Sequence, residues 1–402
     1  MAKLSIEKVD VRGKRVLCRV DFNVPVDEQG KITDDRRIRM ALPTITGIAD
    51  RGGRVILMSH FGRPAGTGYE QEHSLKVAAD ALAAMLPGRK VTFPSTDCVD
   101  ATSAAAVSAM KDGEIVLLEN LRFHKGETKN DPAFGAKLAA YGQVYCDDAF
   151  GAAHRAHASL VAAPLAMHDS PRTAGLLLLK ELKYLSDLLQ NPPRPLCAIL
   201  GGAKVSDKLP AITNLMPKVD MILIGGAMAY TFLKAQGRRT GKSLVEADRI
   251  EDANRIIDEA SRSRCQIYLP FDHVCAQEIS SRAPTRIMED HIEEGWMGLD
   301  IGPKSQALFT EKIASSKGVI WNGPMGVFET APFDAGTRAV ANAIVAATRK
   351  GAISVIGGGD SAAAVEEFGL ADQFSHVSTG GGASLEMLEG RKLPGVEVLQ
   401  DA

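Results

Sequence analysis

Short apolar runs rich in valine, isoleucine and leucine recur along the chain, and a segment with helical spacing follows each of them. Strands that alternate with helices in this way are typical of a parallel β-sheet, so the pattern predicts an α/β fold. The predicted strands of the first half are RVLCRVD, RVILMSH, EIVLLEN and QVYCDDA. Those of the second half are LCAILGG, MILIGGA, QIYLPFD, GVIWNGP, ISVIGGG and FSHVSTGG.

The two sets of strands are separated by SPRTAGLLLLKELKYLSDLL, residues 170–189, and by the proline-rich NPPRP. The apolar spacing predicts a helix that packs on both lobes and ends at the prolines, although an ordinary core helix has the same pattern. A chain of 402 residues is also too long for one ordinary core. We therefore predict one domain over residues 1–170, an interdomain helix over 171–190 and a second domain over 191–390.

The composition is that of a soluble globular protein, with 45% hydrophobic and 24% charged residues and a formal net charge of -2. This balance argues against non-specific binding to nucleic acid or to acidic membranes. The cysteines are scattered without CxxC spacing, which predicts buried thiols with neither disulfides nor zinc. They are Cys18, Cys98, Cys146, Cys197, Cys265 and Cys275. Because no signal-like or membrane-spanning stretch is evident, we expect a cytoplasmic protein.

Polar and basic side chains follow the predicted strands of the first half, where ligands of open parallel sheets bind. They are Asp21 and Asn23, His60 and Arg63, Arg122, His154 and Arg155, with Arg37 added from a loop stretch. Clustered guanidiniums repel one another unless an anion joins them, and each matches carboxylate or phosphate in two-point contact. The first lobe is therefore predicted to hold a small, multiply charged anion. His154 and His157 have a spacing found in metal sites, but no third ligand is near in sequence, and we assign no zinc to them.

The second half has glycines where the first half has arginines, in GGAKVSDK, GGAMA, WNGPMGVFE, GGGDS and TGGGAS. Glycine lets the backbone approach a ligand, and N–H groups at a helix start favour phosphate, so this lobe is predicted to bind a nucleotide. Lys204 and Lys208, one helical turn apart, would both point toward the phosphates, unless they are solvated lysines on a helix face. The segment GRRTGKS, residues 237–243, is one residue short of the phosphate-loop pattern and is not assigned.

Asp360 follows directly on three glycines, where a phosphate would be expected to bind. It could cap the next helix, which would contribute roughly 1 kcal/mol. Gly357, Gly359 and Ala362 also fit the G-x-G-x-x-A fingerprint of dinucleotide-binding folds. A carboxylate repels a pyrophosphate unless a cation lies between them, however, and Mg²⁺ binds through carboxylates together with phosphate oxygens. Asp360 therefore favours a metal-bound nucleoside triphosphate over NAD.

One lobe for an anion and one for a metal-bound nucleotide suggest phosphoryl transfer across a cleft that closes. This chemistry depends mainly on charge stabilisation, and Arg37 and Lys204 are our candidates to supply it from the two lobes. Two other classes stay open on the residues alone. One is an NAD-dependent dehydrogenase, and the other is a non-catalytic two-lobed protein that closes on a small anion.

Eight motifs, in this order and spread over nearly the whole chain, resemble those of phosphoglycerate kinases: RVDFNVP, SHFGRP, LLENLRF, DDAFGAAHRAH, ILGGAKVSDK, WNGPMGVFE, GGGDS and VSTGGGAS. The resemblance implies two Rossmann-like lobes, each a parallel sheet flanked by helices, joined by the interdomain helix and a hinge. It implies a monomer that reversibly transfers phosphate between 1,3-bisphosphoglycerate and ADP, giving 3-phosphoglycerate and ATP in glycolysis. Residues 391–402 would return to pack on the first, phosphoglycerate-binding domain.

The resemblance also implies roles for the matching residues of the first lobe. Asp21 and Asn23 would contact the glycerate, and Arg37 would hold the reacting carboxyl group. The phosphate of the substrate would be bound by His60, Arg63, Arg122 and Arg155. No general base is required, because the substrate carboxylate is already ionised at neutral pH.

For the second lobe the resemblance implies a nucleotide site with Mg²⁺ on Asp360. Lys204 and Lys208 would serve the transferring and nucleotide phosphates, and with Arg37 and Gly381 they make up the implied catalytic set. The remaining nucleotide residues fall into three groups. Those near the phosphates would be Gly202, Asn322, Gly357, Gly358, Gly359, Ser361 and the amides of residues 380–382. The adenosine would contact Gly225, Gly226, Gly298 and Leu299, and Glu329 would bind the ribose. Ala152, Ala227 and Ser361 depart from the usual family residues, and Ala227 could alter nucleotide preference.

Overall fold

The computed structural model describes residues 2–402. The chain separates into two compact units. The N-terminal unit consists of the residues up to Leu182 together with Lys392–Ala402, and the second unit is Lys183–Arg391. The boundary between the units falls within the helix that was predicted over residues 171–190.

The N-terminal unit contains a six-stranded parallel sheet with the order β3-β4-β2-β1-β5-β6. Its strands are β1 (Arg15–Arg19), β2 (Arg54–Met58), β3 (Val91–Thr92), β4 (Ile115–Leu117), β5 (Val144–Asp147) and β6 (Arg172–Ala174). Its helices are α1 (Arg36–Asp50), α2 (Lys76–Met85), α3 (Ala101–Ser108), α4 (Lys125–Thr128), α5 (Pro132–Ala139) and α6 (Ala162–Ala166). The four strands predicted for this half are confirmed, whereas β3 and β6 are too short to give a sequence signal.

Alternate residues of these strands form one face of a buried core. Val16 and Cys18 of β1 and Val55 and Leu57 of β2 belong to the same hydrophobic cluster. Successive strand side chains point to opposite faces, so this i, i+2 pattern places one side of the sheet against apolar residues of α1 and α2. The opposite side is buried as well, which explains why the strands read as continuous apolar runs.

Helix α7 (Leu176–Gln190) contains the boundary between the units. It begins five residues after the predicted start at 171, because Arg172–Ala174 pairs with β5 as strand β6. Among residues 2–402, no helix combines the length and the apolar character that crossing a bilayer requires.

The second unit has a second six-stranded parallel sheet, with the order β15-β14-β13-β7-β8-β9, and a three-stranded antiparallel sheet, β11-β10-β12. The strands are β7 (Leu196–Leu200), β8 (Met221–Ile224), β9 (Gln266–Tyr268), β10 (Asp272–Ala276), β11 (Arg286–Glu289), β12 (Met297–Ile301), β13 (Gly318–Asn322), β14 (Ile353–Gly357) and β15 (His376–Val377). The helices are α8 (Leu209–Leu215), α9 (Met228–Ala235), α10 (Ile250–Ser261), α11 (Pro303–Ala314), α12 (Ala335–Arg349), α13 (Gly359–Glu367) and α14 (Gly381–Leu388). All six strands predicted for this half are confirmed. The antiparallel strands were missed.

Residues Lys392–Ala402 contain the short helix α15 (Pro394–Glu397) and belong to the N-terminal unit, whereas Arg391, the first residue of the predicted segment, belongs to the second unit. Gly395 donates its N–H to the carbonyl of Ala153 at 2.9 Å. Leu4 donates to the carbonyl of Gln400 at 2.8 Å, so both ends of the chain lie together beside the first sheet. The six cysteines are free and buried.

Candidate active site

The predicted anion-binding residues of the N-terminal unit follow neighbouring strands of one parallel sheet. Since parallel strands all end at the same edge, residues that follow β4, β2, β1 and β5 are brought together there. Asp21 and Asn23 follow β1, His60 and Arg63 follow β2, Arg122 follows β4, and Arg155 follows β5. Arg37 comes from the first turn of α1, so the prediction that it lies in a loop is wrong.

Asp21 organises this group of side chains. Its carboxylate accepts a hydrogen bond from Arg37 Nη1 at 2.8 Å, and its other oxygen lies 4.0 Å from His60 Nδ1. Asn23 is held nearby, because its Oδ1 accepts from the N–H of Gly62 at 2.8 Å. An ion pair and a backbone hydrogen bond thus fix two of the predicted substrate residues before any ligand binds.

Arg19 is a member of this cluster that the sequence reasoning missed. It is fully buried at the end of β1, where its Nε donates to Ser159 Oγ at 3.0 Å. Its Nη2 lies 3.0 Å from His60 Nδ1. An arginine can only donate, so His60 Nδ1 must accept and its Nε2 carries the proton. A charged residue inside an apolar run, as in RVLCRVD, is the signal that could have found it.

The guanidiniums of the cluster disfavour each other's charge. Burial, and then Arg155 and Arg19, lower the pKa of Arg122 to about 10. Burial also lowers the pKa of His60 well below its usual range, with Arg19 and Arg122 adding to the effect. The buried Nε of Arg122 has no hydrogen-bond partner among residues 2–402. A multiply charged anion would relieve the repulsion and supply the missing acceptor.

His154 and His157 lie beside the same arginines. Arg155 Nε donates to His154 Nε2 at 3.2 Å. Burial, followed by the charges of Arg19 and Arg122, lowers the pKa of His157 to about 3. Burial, and then the charge of Arg155, also lower the pKa of His154, so both imidazoles are neutral near pH 7.

The glycine-rich segments of the second unit surround a cavity of about 580 Å³. Its lining includes Gly201, Gly202, Lys204, Lys208, Asn322, Gly323, Gly358, Gly359, Asp360, Gly381 and Gly382. These residues follow β7, β13, β14 and β15, so this cavity too lies at the carboxyl edge of a parallel sheet.

Lys204 and Lys208 both line the cavity, but the prediction that they lie one turn apart on a helix is wrong. Helix α8 begins only at Leu209, and both lysines precede it in a loop. Glu246 holds this loop, since it accepts from the N–H of Ser206 at 3.0 Å and from its hydroxyl at 2.6 Å. Lys208 Nζ donates to Asn322 Oδ1. Burial lowers the pKa of Lys208, whereas Asp207, Asp360 and Glu389 oppose the shift.

Two glycines show why this unit requires residues without a side chain. Gly226 has a φ of +67°, and a Cβ there would lie 2.5 Å from the backbone nitrogen of Gly202. Gly358 has a φ of +86° and occupies the N-cap of α13. Both positions combine a positive φ with close neighbours, which are the backbone of Gly202 at Gly226 and the side chain of Asn322 at Gly358.

Asp360 lies at the second position of α13, so the alternative that it caps this helix is wrong. Its side chain is exposed, and it makes no hydrogen bond or ion pair with another residue of the described chain. Ser361 points elsewhere, because its buried hydroxyl accepts from the N–H of Gly323 at 2.6 Å. The carboxylate of Asp360 is thus open to a ligand in the cavity, and Ser361 supports the loop behind it.

The geometry leaves a cluster of guanidiniums in one unit and a glycine-lined cavity in the other. The sequence model of the family "Phosphoglycerate kinase" matches residues 6–391, which include nearly all of both units. The chain belongs to the phosphoglycerate kinase family.

Similar proteins support this assignment over the full length. The phosphoglycerate kinase of Chlorobium phaeobacteroides (strain BS1) is 51% identical over 402 residues, which is 100% of each chain. The solved structure of phosphoglycerate kinase from Coxiella burnetii is 38% identical, covers 98% of each chain and has a TM-score of 0.88. That of phosphoglycerate kinase from Pyrococcus horikoshii OT3 is 30% identical, with a TM-score of 0.84 over 98% of each chain. The dehydrogenase and the non-catalytic binding protein are not favoured.

Several nucleotide residues implied by the family lie outside the lining of the cavity: Gly225, Gly226, Gly298, Leu299, Glu329, Gly357 and Ser361. Gly298 packs against the ring of Tyr230, and Leu299 is buried. Glu329 is exposed. Ala227, one of the departures from the family pattern, contacts a small apolar cluster that includes Tyr230 and Cys275.

Glu389 and Arg391 line the cavity and were not anticipated. Arg391 Nε lies 2.9 Å from Glu389 Oε2, and the Glu389 side chain is nearly buried. They follow α14 directly. The sequence feature that could have identified them is a pair of opposite charges downstream of the glycines in TGGGAS.

Proposed function

We propose that the chain catalyses the reversible transfer of a phosphoryl group between 1,3-bisphosphoglycerate and ADP, giving 3-phosphoglycerate and ATP in glycolysis. The observation that carries this proposal is the pairing of two unlike sites within one member of this family. One unit concentrates guanidiniums around Asp21, and the other has a cavity lined by glycines, lysines and the exposed carboxylates of Asp207 and Asp360.

In the N-terminal unit, 3-phosphoglycerate would join the charges that repel one another in the free protein. His60, Arg63, Arg122 and Arg155 would bind the phosphate, and Asp21 and Asn23 would contact the glycerate. The unpartnered Nε of Arg122 and the Nε2–H of His60 are donors of the kind that a phosphate requires. Arg37 would hold the reacting carboxyl group.

In the second unit, the backbone N–H groups of the glycine segments would bind the nucleotide phosphates. Gly357, Gly358, Gly359 and the amides of residues 381–382 would contribute such donors, with Asn322 and Ser361 supporting them. The N–H of Gly202 already donates to the carbonyl of Pro324 at 3.1 Å and that of Gly380 to Ser378 Oγ at 3.0 Å, so these two residues would line the site without donating. Lys204 and Lys208 would neutralise the transferring and nucleotide phosphates. The adenosine would contact Gly225, Gly226, Gly298 and Leu299, and Glu329 would bind the ribose.

A magnesium ion fits the donor set of this cavity. Asp360 is an exposed carboxylate without a partner in the described chain, and it lies among glycine amides and Lys208. Mg²⁺ binds through one or two carboxylates and phosphate oxygens and keeps several waters. We propose that Asp360 holds Mg²⁺, which when bound would neutralise charge on the nucleotide phosphates.

The chemistry that remains for the protein is positioning and charge stabilisation. No general base is needed, because the acceptor carboxylate is ionised at neutral pH. Arg37 and Lys204 would stabilise the charge of the transferring group, and Lys208 and the N–H of Gly381 would assist. Hinge bending that brings the two ligands together and excludes water is part of this proposal.

The proposal also includes a cytoplasmic monomer without a nucleic-acid or membrane partner. The formal net charge of -2 supports the absence of nucleic-acid and membrane partners, since non-specific binding to polyanions favours strongly basic proteins.

A coupled assay of ATP consumption in the presence of 3-phosphoglycerate and Mg²⁺ tests the function. We expect turnover that requires all three components. Ligand binding without turnover would favour the non-catalytic protein, and reduction of NAD on addition of a hydroxy acid would favour the dehydrogenase.

A further inference from the structure

Three different metal-ligand types meet in the N-terminal unit, apart from the residues of the anion site. One ligand atom each from Asp97, Cys98 and His124 lies within 4.8 Å of the other two. Asp97 and Cys98 lie in the loop between β3 and α3, and His124 follows the single turn Leu121–Phe123. The separation of 27 positions between Asp97 and His124 hid the group from rules based on ligand spacing.

Cys98 is a buried residue whose thiol is available to bind a metal ion. Its side chain is 1% exposed, and its thiol makes no hydrogen bond to another residue within 2–402. The imidazole and the carboxylate beside it are already in place, with His124 Nε2 3.0 Å from Asp97 Oδ1. His124 is 29% and Asp97 42% exposed, so a cation can reach the group from solvent.

Neighbouring groups hold the two outer ligands in orientation. The ring of His124 stacks on Phe134 with centroids 4.9 Å apart. Asp97 Oδ1 accepts from the N–H of Val99 at 2.8 Å. Such supporting contacts are typical around metal ligands, because they reduce the movement required on binding.

The surroundings of the thiol are negatively charged. Burial raises the pKa of Cys98, and the carboxylates of Asp97, Glu127 and Glu119 raise it further. Burial, and then Cys98, raise the pKa of Tyr141 to about 12. A divalent cation would be attracted to this environment and would displace the thiol proton into solvent.

We propose that Asp97, Cys98 and His124 form a binding site for a divalent cation of the zinc class. Zinc accepts carboxylate, thiolate and imidazole at about 2.0–2.3 Å, which separates the ligand atoms by roughly 3–4 Å. Small side-chain movements would reach this geometry, and the fourth position would be left to water. The thiolate distinguishes the site from Asp360, because Mg²⁺ takes oxygen ligands. A bound cation would tie the Asp97 loop to the segment that carries Arg122 and stabilise the N-terminal unit.

Cadmium titration of the full chain, after treatment with a chelator, tests the site directly. We expect an ultraviolet thiolate-to-cadmium band that saturates at one equivalent, is abolished in Cys98→Ser and is displaced by Zn²⁺. His124→Gln should weaken zinc binding about 100-fold or more, since loss of an outer-shell partner alone weakens it about 10–100-fold. Zinc should also raise the unfolding midpoint of the unaltered chain but not of His124→Gln.

His168→Gln is the matched control. His168 Nε2 lies 3.0 Å from Asp169 Oδ2, like the His124–Asp97 pair, but both residues are exposed and no thiol completes the group. This variant should bind cadmium and zinc as the unaltered chain does. Should Cys98→Ser fail to fold, the partly exposed His124 still decides the matter. The proposal is overturned by the absence of a thiolate band, or by a band and zinc affinity that survive in His124→Gln.

Discussion

The cluster of guanidiniums around Asp21 in the N-terminal unit and the glycine-lined cavity of the second unit each lie at the carboxyl edge of a parallel sheet, yet their chemistry is opposite. In the first, long side chains such as Arg37 and Arg122 carry full charges to the strand ends. In the second, glycines such as Gly202 and Gly358 let the backbone line the cavity, and the exposed carboxylate of Asp360 adds a negative charge. A parallel sheet thus provides the location, and we propose that the residues after each strand decide between a free polyanion and a metal-bound one.

The largest effect is expected from Arg37→Ala. Its loss removes a donor that we propose acts on the transferring group, so kcat should fall about 100–1000-fold while Mg-ATP affinity stays near that of the unaltered chain. Steady-state kinetics with calorimetry checks both. Arg39→Ala is the control, since Arg39 lies on the same helix but pairs with Asp35 at the surface. A normal kcat in Arg37→Ala would remove Arg37 from the mechanism.

The variant Asp360→Asn tests the cavity of the second unit. The amide lacks the charge that attracts Mg²⁺, so the affinity for Mg-ATP should drop about 100-fold, or about 2.7 kcal/mol, with 3-phosphoglycerate binding unchanged. Calorimetric titration of each ligand measures this. Glu367→Gln, an exposed carboxylate on the same helix, should bind both ligands normally. Equal Mg-ATP affinity in Asp360→Asn would contradict the metal assignment.

A pH titration tests the N-terminal unit through Asp148, whose carboxyl group is fully buried. Burial raises the pKa of Asp148 to about 7. The folded state therefore binds this proton more tightly than the unfolded chain, and stability falls as pH rises from about 4 to about 7. In Asp148→Asn the side chain at this position has no group that titrates in this range. Between pH 5 and pH 8 the unaltered chain should lose on the order of 2 kcal/mol of unfolding free energy relative to the variant. A pH-independent difference in denaturant unfolding would show that Asp148 is ionised in the fold throughout.

The smallest effect concerns the close backbone packing of the second unit. Gly226→Ala should lower the free energy of unfolding by about 1–2 kcal/mol more than Gly237→Ala does. Gly237 has a similar φ of +80°, but nothing lies within 4 Å of its Cβ direction, so it measures the backbone strain alone. Denaturant unfolding of both variants makes the comparison. Equal losses of unfolding free energy in the two variants would mean that the close approach of the Gly202 backbone does not contribute to the cost of Gly226→Ala.

Strand positions were predictable because apolar runs bounded by glycine or polar residues mark strands that are buried on both faces. The strand-end residues followed from them, since the topology of a parallel sheet fixes which residues meet. Predictions failed where a local conformation depends on distant partners. Lys204 and Lys208 are held in a loop by Glu246 and Asn322, far away in sequence. Arg19 was missed because its partner His60 follows β2 and is 41 positions away in sequence.

The central claim is that side-chain charge in one unit and backbone amides in the other bind different ligands. NMR titration of the labelled chain tests it most directly, with 3-phosphoglycerate and Mg-ATP added separately. We predict that 3-phosphoglycerate shifts the guanidinium signals of Arg37, Arg122 and Arg155 and leaves the glycine amides of the second unit in place. Mg-ATP should shift the amides of Gly202, Gly358, Gly359 and Gly381. Shifts of the same set of signals by both ligands would contradict the account.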